Sequence, residues 1–506
     1  MSDPASPVVD EANRIAALFD YPAAEVNRGV EEFIREMKEG LQRDGTTLSQ
    51  IPSYITAVPN GTEKGLYLAV DLGGTNFRVC SIKLNGDSTF SMEQSKSPIP
   101  RDLMVTKSAQ DLFSYLALQI EKFLSTHLSE HFTSHVEKRQ TGQVTAPYEE
   151  DQIFDLGFTF SFPVLQHGIN KGTLLRWTKG FDIAEAVGQD VCKLLQDAID
   201  ARHLPVRVAA LINDTVGTLM ARSYCSPGSS KALIGAIFGT GTNGAYVEKL
   251  ERVVKLTTAT TTNGSTAPGQ TNYDTTTGEM VVNTEWGSFD NPLSVLPTTP
   301  YDTALDAASN NPGIQMFEKR ISGMFLGEIL RLALLDMASN PAVNLFNLDT
   351  SKSNNSPLHT PWGIDTSFLS TVKADHSPSL STTQAKIQTD LSIPNPSPAD
   401  CRAVKILVHA IGKRAARLSA VALAAIIIST GKLETNGEGM VDIGVDGSVV
   451  EHYPGFEGYL RQAFREVEAI GEGREGRISL GVAKDGSGVG AALGALVARE
   501  AVRRGA

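Results

Sequence analysis

The sequence predicts an α/β protein made of two related halves. One pattern occurs twice, as LAVDLGGTNFRV at residues 68–79 and as AIFGTGTNGAYV at residues 236–247, and each copy reads as a tight β-hairpin around a Gly/Thr/Asn turn. Strand-like and helix-like segments alternate along the rest of the chain, as they do in α/β proteins. Because 506 residues exceed what one hydrophobic core normally serves, we expect two domains with a ligand cleft between them.

The net charge and the cysteine spacing argue against several classes of protein. A formal net charge of −12 disfavours a nucleic-acid partner or an anionic membrane surface, since both need clustered Lys and Arg. The four cysteines lack CxxC or metal-finger spacing, which favours reduced thiols. The longest apolar run, residues 418–428, is well short of the ~20 residues that span a bilayer, so we expect a buried helix there. Residues 1–11 lack a secretory pattern. We therefore expect a cytoplasmic protein without nucleic-acid or membrane partners.

The first half opens with two amphipathic helices between residues 11 and 42, where charged residues separate two apolar sets at helical spacing. The further elements expected here are the first hairpin (66–84), a helix (109–128), a strand (153–162), a helix (182–199), an apolar strand (206–212) and a helix (216–223). Asn213, Asp214 and Thr215 join the last strand to the last helix, where α/β proteins place functional loops.

The second half contains two segments of biased composition. Residues 256–278 are dominated by Thr, and residues 339–398 are rich in Ser, Thr, Asn and Pro, so we interpret both as mobile, low-complexity surface insertions. The other elements expected here are two long helices (318–335 and 401–430), a strand (441–445), a helix (455–469), a strand (477–482) and a final helix (490–499).

The tips of the two hairpins suit phosphate binding. Glycine has no Cβ, so the main chain can approach an anion closely, and two tips that face each other could hold a polyphosphate from both sides. A glycine pair at a tip also occurs in purely structural β-turns. Asp71 distinguishes the first tip, because a carboxylate beside Gly73 and Gly74 can hold Mg²⁺, directly or through water, next to the phosphates.

Asp214 is the candidate general base. The ordinary role of an Asp in this position is to cap the helix that follows. Asp214 also follows an apolar strand that lies between the two hairpins in the chain, and the carboxyl end of such a strand opens on a cleft. A carboxylate there can accept the proton of a substrate hydroxyl as the hydroxyl attacks a γ-phosphorus.

Two further motifs allow a structural and a functional interpretation. The segment WTKGFD at 177–182 is either an exposed turn or part of a sugar site, and the residue types suited to sugar hydroxyls are Ser161, Thr178, Lys179, Asn213, Asn243, Glu285 and Glu318. The segment DGSGVG at 485–490 looks like a dinucleotide glycine motif but lacks the full spacing and the acidic residue downstream. A helix N-terminus beside a nucleotide fits this segment better.

Six motifs together resemble the hexokinase family, and within it the fungal glucokinases. They are LAVDLGGTNFRV (68–79), LGFTFSFP (156–163), RWTKGFD (176–182), LINDTVGT (211–218), FGTGTNG (238–244) and EWGSFD (285–290). The resemblance runs from about residue 11 to residue 499 and is weakest in the two biased segments. One such motif could arise by chance, whereas six in the family's order do not.

The resemblance implies an actin-like, hexokinase-type ATPase fold with a small and a large lobe around a cleft. It divides the chain into an N-terminal region, residues 11–213, and a C-terminal region, residues 214–499. The expected contents of the lobes are residues 65–213 with 478–500 for the small lobe and residues 214–477 for the large lobe, on which the helices within 11–64 would pack.

The resemblance also implies roles for individual residues. Asp214 would act as the general base on a sugar 6-hydroxyl, with Lys179 as a second catalytic group. The hexose pocket would be lined by Ser161, Thr178, Lys179, Asn213, Asp214, Asn243, Glu285 and Glu318. The nucleotide would lie against Asp71, Gly73, Gly74, Thr75, Asn76, Arg78, Thr240 and Gly241 through its phosphates, and against Asp446, Gly447, Ser448, Gly486 and Ser487 through its adenosine.

The activity that the resemblance implies is phosphorylation of glucose, or of other hexoses, at the 6-hydroxyl, the first step of glycolysis. MgATP would be the co-substrate, with Asp71 holding Mg²⁺ through water. Since water could replace the sugar, we expect sugar binding to close the lobes and complete the site. Two alternatives stay open: a non-catalytic sugar sensor of the hexokinase type, and an N-acetylglucosamine kinase of the same family. The oligomeric state is either a monomer or a homodimer.

Overall fold

The computed structural model describes residues 6–130, 132–133, 153–226, 231–256, 273–347, 356–434, 439–483 and 485–504. The strands are β1 (Ile51–Pro52), β2 (Lys64–Leu72), β3 (Asn76–Asn85), β4 (Phe90–Pro98), β5 (Phe154–Phe160), β6 (Val164–Gly168), β7 (Lys171–Leu174), β8 (Val206–Ile212), β9 (Ala232–Phe238), β10 (Thr242–Lys249), β11 (Glu279–Asn283), β12 (Val441–Asp446) and β13 (Ile478–Val482).

The α-helices of the described residues are, in chain order, α1 (Pro7–Ala17), α2 (Ala23–Gln42), α3 (Arg101–Met104), α4 (Ala109–His127), α5 (Val191–Ala201), α6 (Asp214–Cys225), α7 (Pro300–Ala308), α8 (Glu318–Ile321), α9 (Gly323–Ser339), α10 (Thr366–Ala374), α11 (Ser381–Asp390), α12 (Pro398–Thr430), α13 (Ser448–His452), α14 (Phe456–Glu466), α15 (Gly471–Glu475) and α16 (Gly486–Arg503). Strands and helices alternate as the sequence predicts, which confirms the α/β class.

The small lobe is built on a five-stranded sheet in the order β4-β3-β2-β5-β8. Strand β2 pairs antiparallel with β3 and parallel with β5, and β5 pairs parallel with β8. Leu68, Val70 and Leu72 alternate along β2 and enter one core with residues of α4 and α5, since successive side chains of a strand point to opposite faces. Helix α16 packs on the other face, so the sheet is covered on both sides.

The large lobe repeats this arrangement. Its six-stranded sheet has the order β1-β11-β10-β9-β12-β13. Strand β9 pairs antiparallel with β10 and parallel with β12, and β12 pairs parallel with β13. Apart from the short edge strand β1, both the order and the direction of every pairing match the small-lobe sheet. The duplication predicted from two hairpins therefore extends over five strands of each sheet.

Two helices lie between the lobes. Helix α6 packs on β9 and β12 of the large-lobe sheet, α16 packs on β2, β5 and β8 of the small-lobe sheet, and the two helices contact each other. Strand β8 leads through Asn213 directly into α6. The chain thus passes from the small lobe to the large lobe at Asp214.

The long helix α12 is the centre of the large lobe. The apolar run predicted to be a buried helix, residues 418–428, lies within it, and the side chains from Leu418 to Ile427 are fully buried. Helices α1 and α2 pack against α12. Among the described residues, no helix is long and apolar enough to cross a membrane.

One expected lobe boundary is wrong. The resemblance places residues 478–500 together in the small lobe, but Ile478–Val482 forms β13, which pairs parallel with β12 in the large-lobe sheet. The chain from β12 to β13 forms α13, α14 and α15, the helical crossover that neighbouring parallel strands require. Only α16, after residue 485, packs on the small-lobe sheet.

The interpretation of residues 339–398 as a mobile loop is wrong for the part that the structure describes. This segment contains α10 and α11, and Phe368, Leu369 and Ile387 are fully buried in the large-lobe core. Few apolar residues suffice, because they fall on one face of each short helix. Residues 348–355, like residues 257–272 of the Thr-rich segment, lie outside the described residues.

The helix expected at 318–335 is divided at Ser322, whose backbone is extended with ψ 154°. Helix α8 ends before the break and α9 begins after it. The backbone N–H of Gly323 then donates to Gly239 O (2.7 Å), and that of Met324 donates to Thr240 O (3.1 Å). The break therefore places the start of α9 against the second glycine turn.

Candidate active site

The two glycine turns occupy equivalent places in the two sheets. Residues 73–75 join β2 to β3 in the small lobe, and residues 239–241 join β9 to β10 in the large lobe. A Cβ built on Gly74 would meet no atom within 4 Å, so the space beside this turn is open. A Cβ on Gly241 would lie 2.9 Å from Glu318 Oε2. Glycine at 241 thus lets the Glu318 carboxylate reach the second turn.

Arg78 connects the first hairpin to the start of α16. Its guanidinium donates to Asp71 Oδ2 (3.3 Å), to Asp485 Oδ1 (2.7 Å) and to the Ser487 hydroxyl. Gly486 and Ser487 are the first residues of α16. The structure therefore brings together three of the residues expected around the nucleotide, Asp71, Arg78 and Ser487.

Asp214 is the first residue of α6, and its neighbour Asn213 is the residue that caps the helix. Asn213 Oδ1 accepts from the backbone N–H of Thr215 (2.9 Å) and from its hydroxyl (2.5 Å). Asp214 Oδ1 also accepts from the Thr215 N–H (2.8 Å). Burial raises the pKa of Asp214 to about 6, and the positive charge of Lys179 opposes that shift. The carboxyl group is thus half-buried and close to a cation.

Glu285 is held by two asparagine side chains. Its Oε1 accepts from Asn283 Nδ2 (2.7 Å) and from Asn243 Nδ2 (3.2 Å), and Asn243 Nδ2 also donates to Asn283 Oδ1 (2.8 Å). The backbone of Glu285 is left-handed, with φ 53°. A non-glycine residue keeps this conformation only where its surroundings hold it, and such residues concentrate at functional sites. Burial raises the pKa of Glu285, and the two amide donors oppose the shift.

Glu318 lies at the start of α8 and reaches the second turn. Its Oε2 accepts from the backbone N–H of Thr242 (2.9 Å), and Trp286 Nε1 donates to the Thr242 hydroxyl (3.0 Å). Burial raises the pKa of Glu318, and the negative charges of Glu285 and Asp214 raise it further. The three acids are therefore close enough to influence one another.

Lys179 lies in the small lobe, in the loop that follows β7. Its Nζ donates to Ser161 O (2.8 Å) and lies 5.5 Å from the ring centre of Phe162. Burial lowers the pKa of Lys179, while Asp214, Asp71 and Glu318 raise it. Like Glu285, Lys179 has a left-handed backbone, with φ 58°. Ser161 lies beside the first turn, because its Oγ would be 3.4 Å from a Cβ on Gly73.

Three threonines expected at the site, Thr178, Thr75 and Thr240, have fewer contacts than the acidic residues. Thr178 is half-buried, and its carbonyl accepts from the Phe181 N–H (3.1 Å) in the loop that carries Lys179. Thr75 and Thr240 are exposed at the two tips, and Asn76 Nδ2 donates to the Thr75 hydroxyl (3.3 Å). These side chains are placed at the cleft without being fixed within it.

The segment from Asp446 to Ser448 lies beside the second turn. Gly447 has φ 113°, and a Cβ on it would lie 2.6 Å from the carbonyl carbon and oxygen of Phe238. Only glycine lets the end of β12 pass this close to the end of β9. Burial raises the pKa of Asp446, to which the charge of Asp214 contributes.

The cleft is rich in carboxylates. Burial is the main cause of a raised pKa in Asp214, Glu285, Glu318 and Asp446. A polyanion in this site needs compensating positive charge, which Lys179, Arg78 and the N-termini of α6 and α16 offer. A divalent cation that enters with phosphates would add to it, and the half-buried Asp71 carboxylate beside the open Gly74 turn is a suitable ligand.

Sequence reasoning missed several residues of this site. Asn283 ends β11 only two positions before Glu285, yet no motif drew attention to it. Asp485 pairs with Arg78 across 407 positions of the chain, which no local pattern could reveal. Arg176 belongs to a motif named above but was given no role, and its positive charge opposes the rise in the pKa of Glu285.

Two family models described as hexokinase match the chain, one over residues 11–224 and the other over residues 233–497. The chain is 62% identical over 504 residues to a glucokinase from Aspergillus niger, with 99% of each chain covered. It is 42% identical over 513 residues to glucokinase-1 from Saccharomyces cerevisiae, with 97% of each covered.

Solved structures of hexokinases are similar over the same length. One is a hexokinase from Schistosoma mansoni complexed with glucose, which is 33% identical with a TM-score of 0.75 and covers 96% of this chain and 98% of its own. A second hexokinase crystal structure is 28% identical with a TM-score of 0.78, covering 97% and 99%. The two-lobed, actin-like architecture is therefore the fold of this chain.

Proposed function

Because this chain belongs to the hexokinase family, we propose that it transfers the γ-phosphoryl group of ATP to the 6-hydroxyl of glucose, giving glucose 6-phosphate and ADP. The Aspergillus relative, a glucokinase, and the glucose complex of the Schistosoma hexokinase support glucose as the substrate. The observation that carries the proposal is the half-buried Asp214, whose pKa is raised to about 6 where β8 meets α6.

Asp214 is the proposed general base. Its Oδ1 holds the Thr215 N–H, which leaves Oδ2 to accept the proton of the 6-hydroxyl. A carboxyl group with a pKa near 6 is mostly ionised at neutral pH and is more basic than an ordinary aspartate. As the hydroxyl oxygen bonds to the γ-phosphorus, the bond from that phosphorus to the β,γ-bridging oxygen breaks and the proton moves to Asp214.

The hexose is proposed to bind between residues of both lobes. Ser161, Thr178 and Lys179 belong to the small lobe, and Asn243, Glu285 and Glu318 belong to the large lobe. Amide, hydroxyl and carboxylate groups together can donate to and accept from every sugar hydroxyl. A pocket divided in this way is complete only when the lobes approach, so sugar binding would assemble the site and limit transfer to water.

The proposed nucleotide site lies between the two glycine turns. The phosphates would accept from the main chain of residues 73–75 and 239–241, with the adenosine near Asp446–Ser448 and the start of α16. Mg²⁺ would arrive with ATP and be held by Asp71 through water, where it neutralises phosphate charge. Lys179 and the N-terminus of α6 would stabilise the charge that develops on the transferring group. We also propose a cytoplasmic location, which the scattered cysteine spacing supports.

The non-catalytic alternative has no observation in its favour. A sugar sensor would be expected to lose the base, the lysine or a glycine of the turns, and Asp214, Lys179, Gly73 and Gly241 are all present.

A coupled ADP-release assay tests the proposal. With saturating MgATP, kcat/KM should be highest for glucose in a panel that also contains fructose, mannose and N-acetylglucosamine, and ³¹P NMR should identify the product as the 6-phosphate. ADP release should disappear when EDTA removes Mg²⁺. A higher kcat/KM for N-acetylglucosamine would favour that kinase activity instead, and ADP release that does not depend on any sugar would contradict the proposal.

A further inference from the structure

Gln166, in β6, is hydrogen-bonded to both lobes at once. Its Nε2 lies 3.0 Å from Ser53 O, 3.2 Å from Gly168 O and 3.2 Å from Leu211 O. All three partners are carbonyl oxygens, so only the amide nitrogen, and not the amide oxygen, fits among them. The two N–H groups of the amide are thus shared among three acceptors. Gly168 O and Leu211 O belong to the small lobe, and Ser53 O lies in the segment that follows β1 of the large-lobe sheet.

On the small-lobe side, Gln166 fixes the strand that leads to the general base. Leu211 donates its N–H to Ile169 O (2.7 Å) and accepts from Gln166, so the β6-β7 hairpin holds its backbone at both polar groups. Leu211 is three positions before Asp214, and Ile212 ends β8 between them. The hydrogen bond therefore fixes a backbone carbonyl group, that of Leu211, close to the Asp214 carboxylate in the chain.

On the large-lobe side, Gln166 reaches the strand that leads to Glu285. The Ser53 N–H (3.1 Å) and hydroxyl (2.7 Å) both donate to Val281 O, and Ile51 pairs with Asn283. Asn283 in turn donates to Glu285 Oε1 (2.7 Å). Ser53 is therefore fixed to the strand whose end carries the amide that holds Glu285.

We propose that Gln166 is a positioning residue that sets the separation between Asp214 and Glu285, and with it the placement of the sugar hydroxyl against the base. This inference rests on the proposed hexose kinase function. Gln166 acts through the backbones of β8 and β11 and touches no reacting atom. Small displacements of aligned groups are costly in rate, so a bond that fixes two such groups across a lobe boundary affects turnover more than it affects stability.

The substitution Gln166→Met tests this role, because it keeps the length of the side chain and removes both N–H groups. We expect kcat/KM for glucose to fall about tenfold, since the strands lose a shared hydrogen-bond donor and with it the alignment of the site. KM for ATP should change less than about twofold, because none of the three carbonyl groups that Gln166 binds belongs to the turns at 73–75 and 239–241.

Gln196→Met is the matched control. Gln196 in α5 donates to Val206 O (3.1 Å) and accepts from the Val208 N–H (2.7 Å), at the opposite end of the same strand β8. Its loss should lower Tm at least as much as Gln166→Met, while kcat/KM for glucose stays within about twofold of the wild-type value.

A second variant keeps the test valid if Gln166→Met does not fold. In Gln166→Glu, an ionised carboxylate would face three carbonyl oxygens, which raises its pKa, whereas the protonated acid can donate one hydrogen bond. The activity of this variant relative to wild type should therefore rise as the pH falls.

Three results decide the matter. A wild-type protein that does not phosphorylate glucose would refute the proposed function. An active wild type with Gln166→Met within twofold of it, or with its glucose and ATP parameters changed equally and in proportion to Tm, would overturn the role of Gln166. A relative activity of Gln166→Glu that does not change with pH would overturn it as well.

Discussion

Gly217 of α6 and Gly490 of α16 meet backbone to backbone, since a Cβ built on Gly490 would lie 2.1 Å from the Cα of Gly217. A Cβ on Gly217 would lie 2.5 Å from Gly486 O. Neither glycine has a positive φ, so space and not backbone conformation requires glycine at both positions. At these glycines, the two helices between the lobes thus touch without a side chain between them.

Gly217→Ala should destabilise the protein. The added methyl group must push α6 away from α16, and overpacking of this kind costs about 1–3 kcal/mol. A thermal unfolding scan should therefore show a lower Tm. Gly458→Ala is the control, because Gly458 lies within α14 and a Cβ there would meet no atom within 4 Å. Alanine in that helix should stabilise by about 0.5–1 kcal/mol, and equal Tm changes in the two variants would contradict this account.

Asp214→Asn should retain glucose binding and lose turnover. The amide keeps the shape of the carboxylate but cannot accept the proton, and loss of a general base lowers kcat by about 10²- to 10⁴-fold. Isothermal titration with glucose and the coupled assay measure the two effects separately. Asp190→Asn is the control, because Asp190 caps α5 by accepting from the Cys192 N–H and asparagine can do the same. If kcat of Asp214→Asn were similar to that of the control, Asp214 would not be the general base.

The same substitution should stabilise the folded protein at neutral pH. Burial raises the pKa of Asp214 from 3.8 to about 6, so the ionised form is less favourable in the folded chain than in the unfolded one. The contribution of this group to stability is then greatest below pH 3.8 and is lost as the pH rises through about 6. Allowing for partial exposure, Asp214→Asn should gain about 1–2 kcal/mol above the folded pKa and nothing below the unfolded one. Tm measured across this range checks the sign, and a lower Tm of the variant at pH 8 would show it to be wrong.

Lys179→Met should move the acidic limb of the pH profile upward. The lysine charge opposes the rise in the pKa of Asp214, so its removal raises that pKa further. The base is active when ionised, and kcat/KM for glucose should therefore begin to fall at a higher pH than in wild type. The position of the limb, and not the rate itself, is the measurement. Lys171→Met, at the exposed start of β7, should leave the limb in place. A limb that stays or moves to lower pH would mean that Lys179 does not act on Asp214.

Elements with a strong local signal were predictable from the sequence. Both hairpins, the strand before Asp214 and the buried helix at 418–428 have apolar periodicity and glycine turns that depend on near neighbours alone. The same local signal indicated Asp71 and Asp214, because Asp71 lies near the end of a hairpin strand beside a glycine turn and Asp214 closely follows an apolar strand. The structure brings these residues within electrostatic reach of one another, while their chemical roles stay proposals.

What depends on distant partners was not predictable. Strand β13 belongs to the large lobe because it pairs with β12, which ends 32 positions before β13 begins. The residues of β13 themselves do not indicate this pairing. The composition of residues 339–398 is typical of a loop, because an average over sixty positions hides short amphipathic helices. The support of Glu285 by Asn243 and Asn283 and the bond from Gln166 to Ser53 join strands that are adjacent only in the folded chain.

Asp214 belongs to the joint of the molecule, where β8 of one sheet continues into the helix that packs on the other. Points close to an axis of rotation travel least when two bodies turn about it. Any swing of the lobes would therefore displace Lys179 in the small lobe and Glu318 in the large lobe more than it displaces the Asp214 carboxylate. The proton acceptor would then stay nearly fixed, while the residues that bind the ligand move toward it.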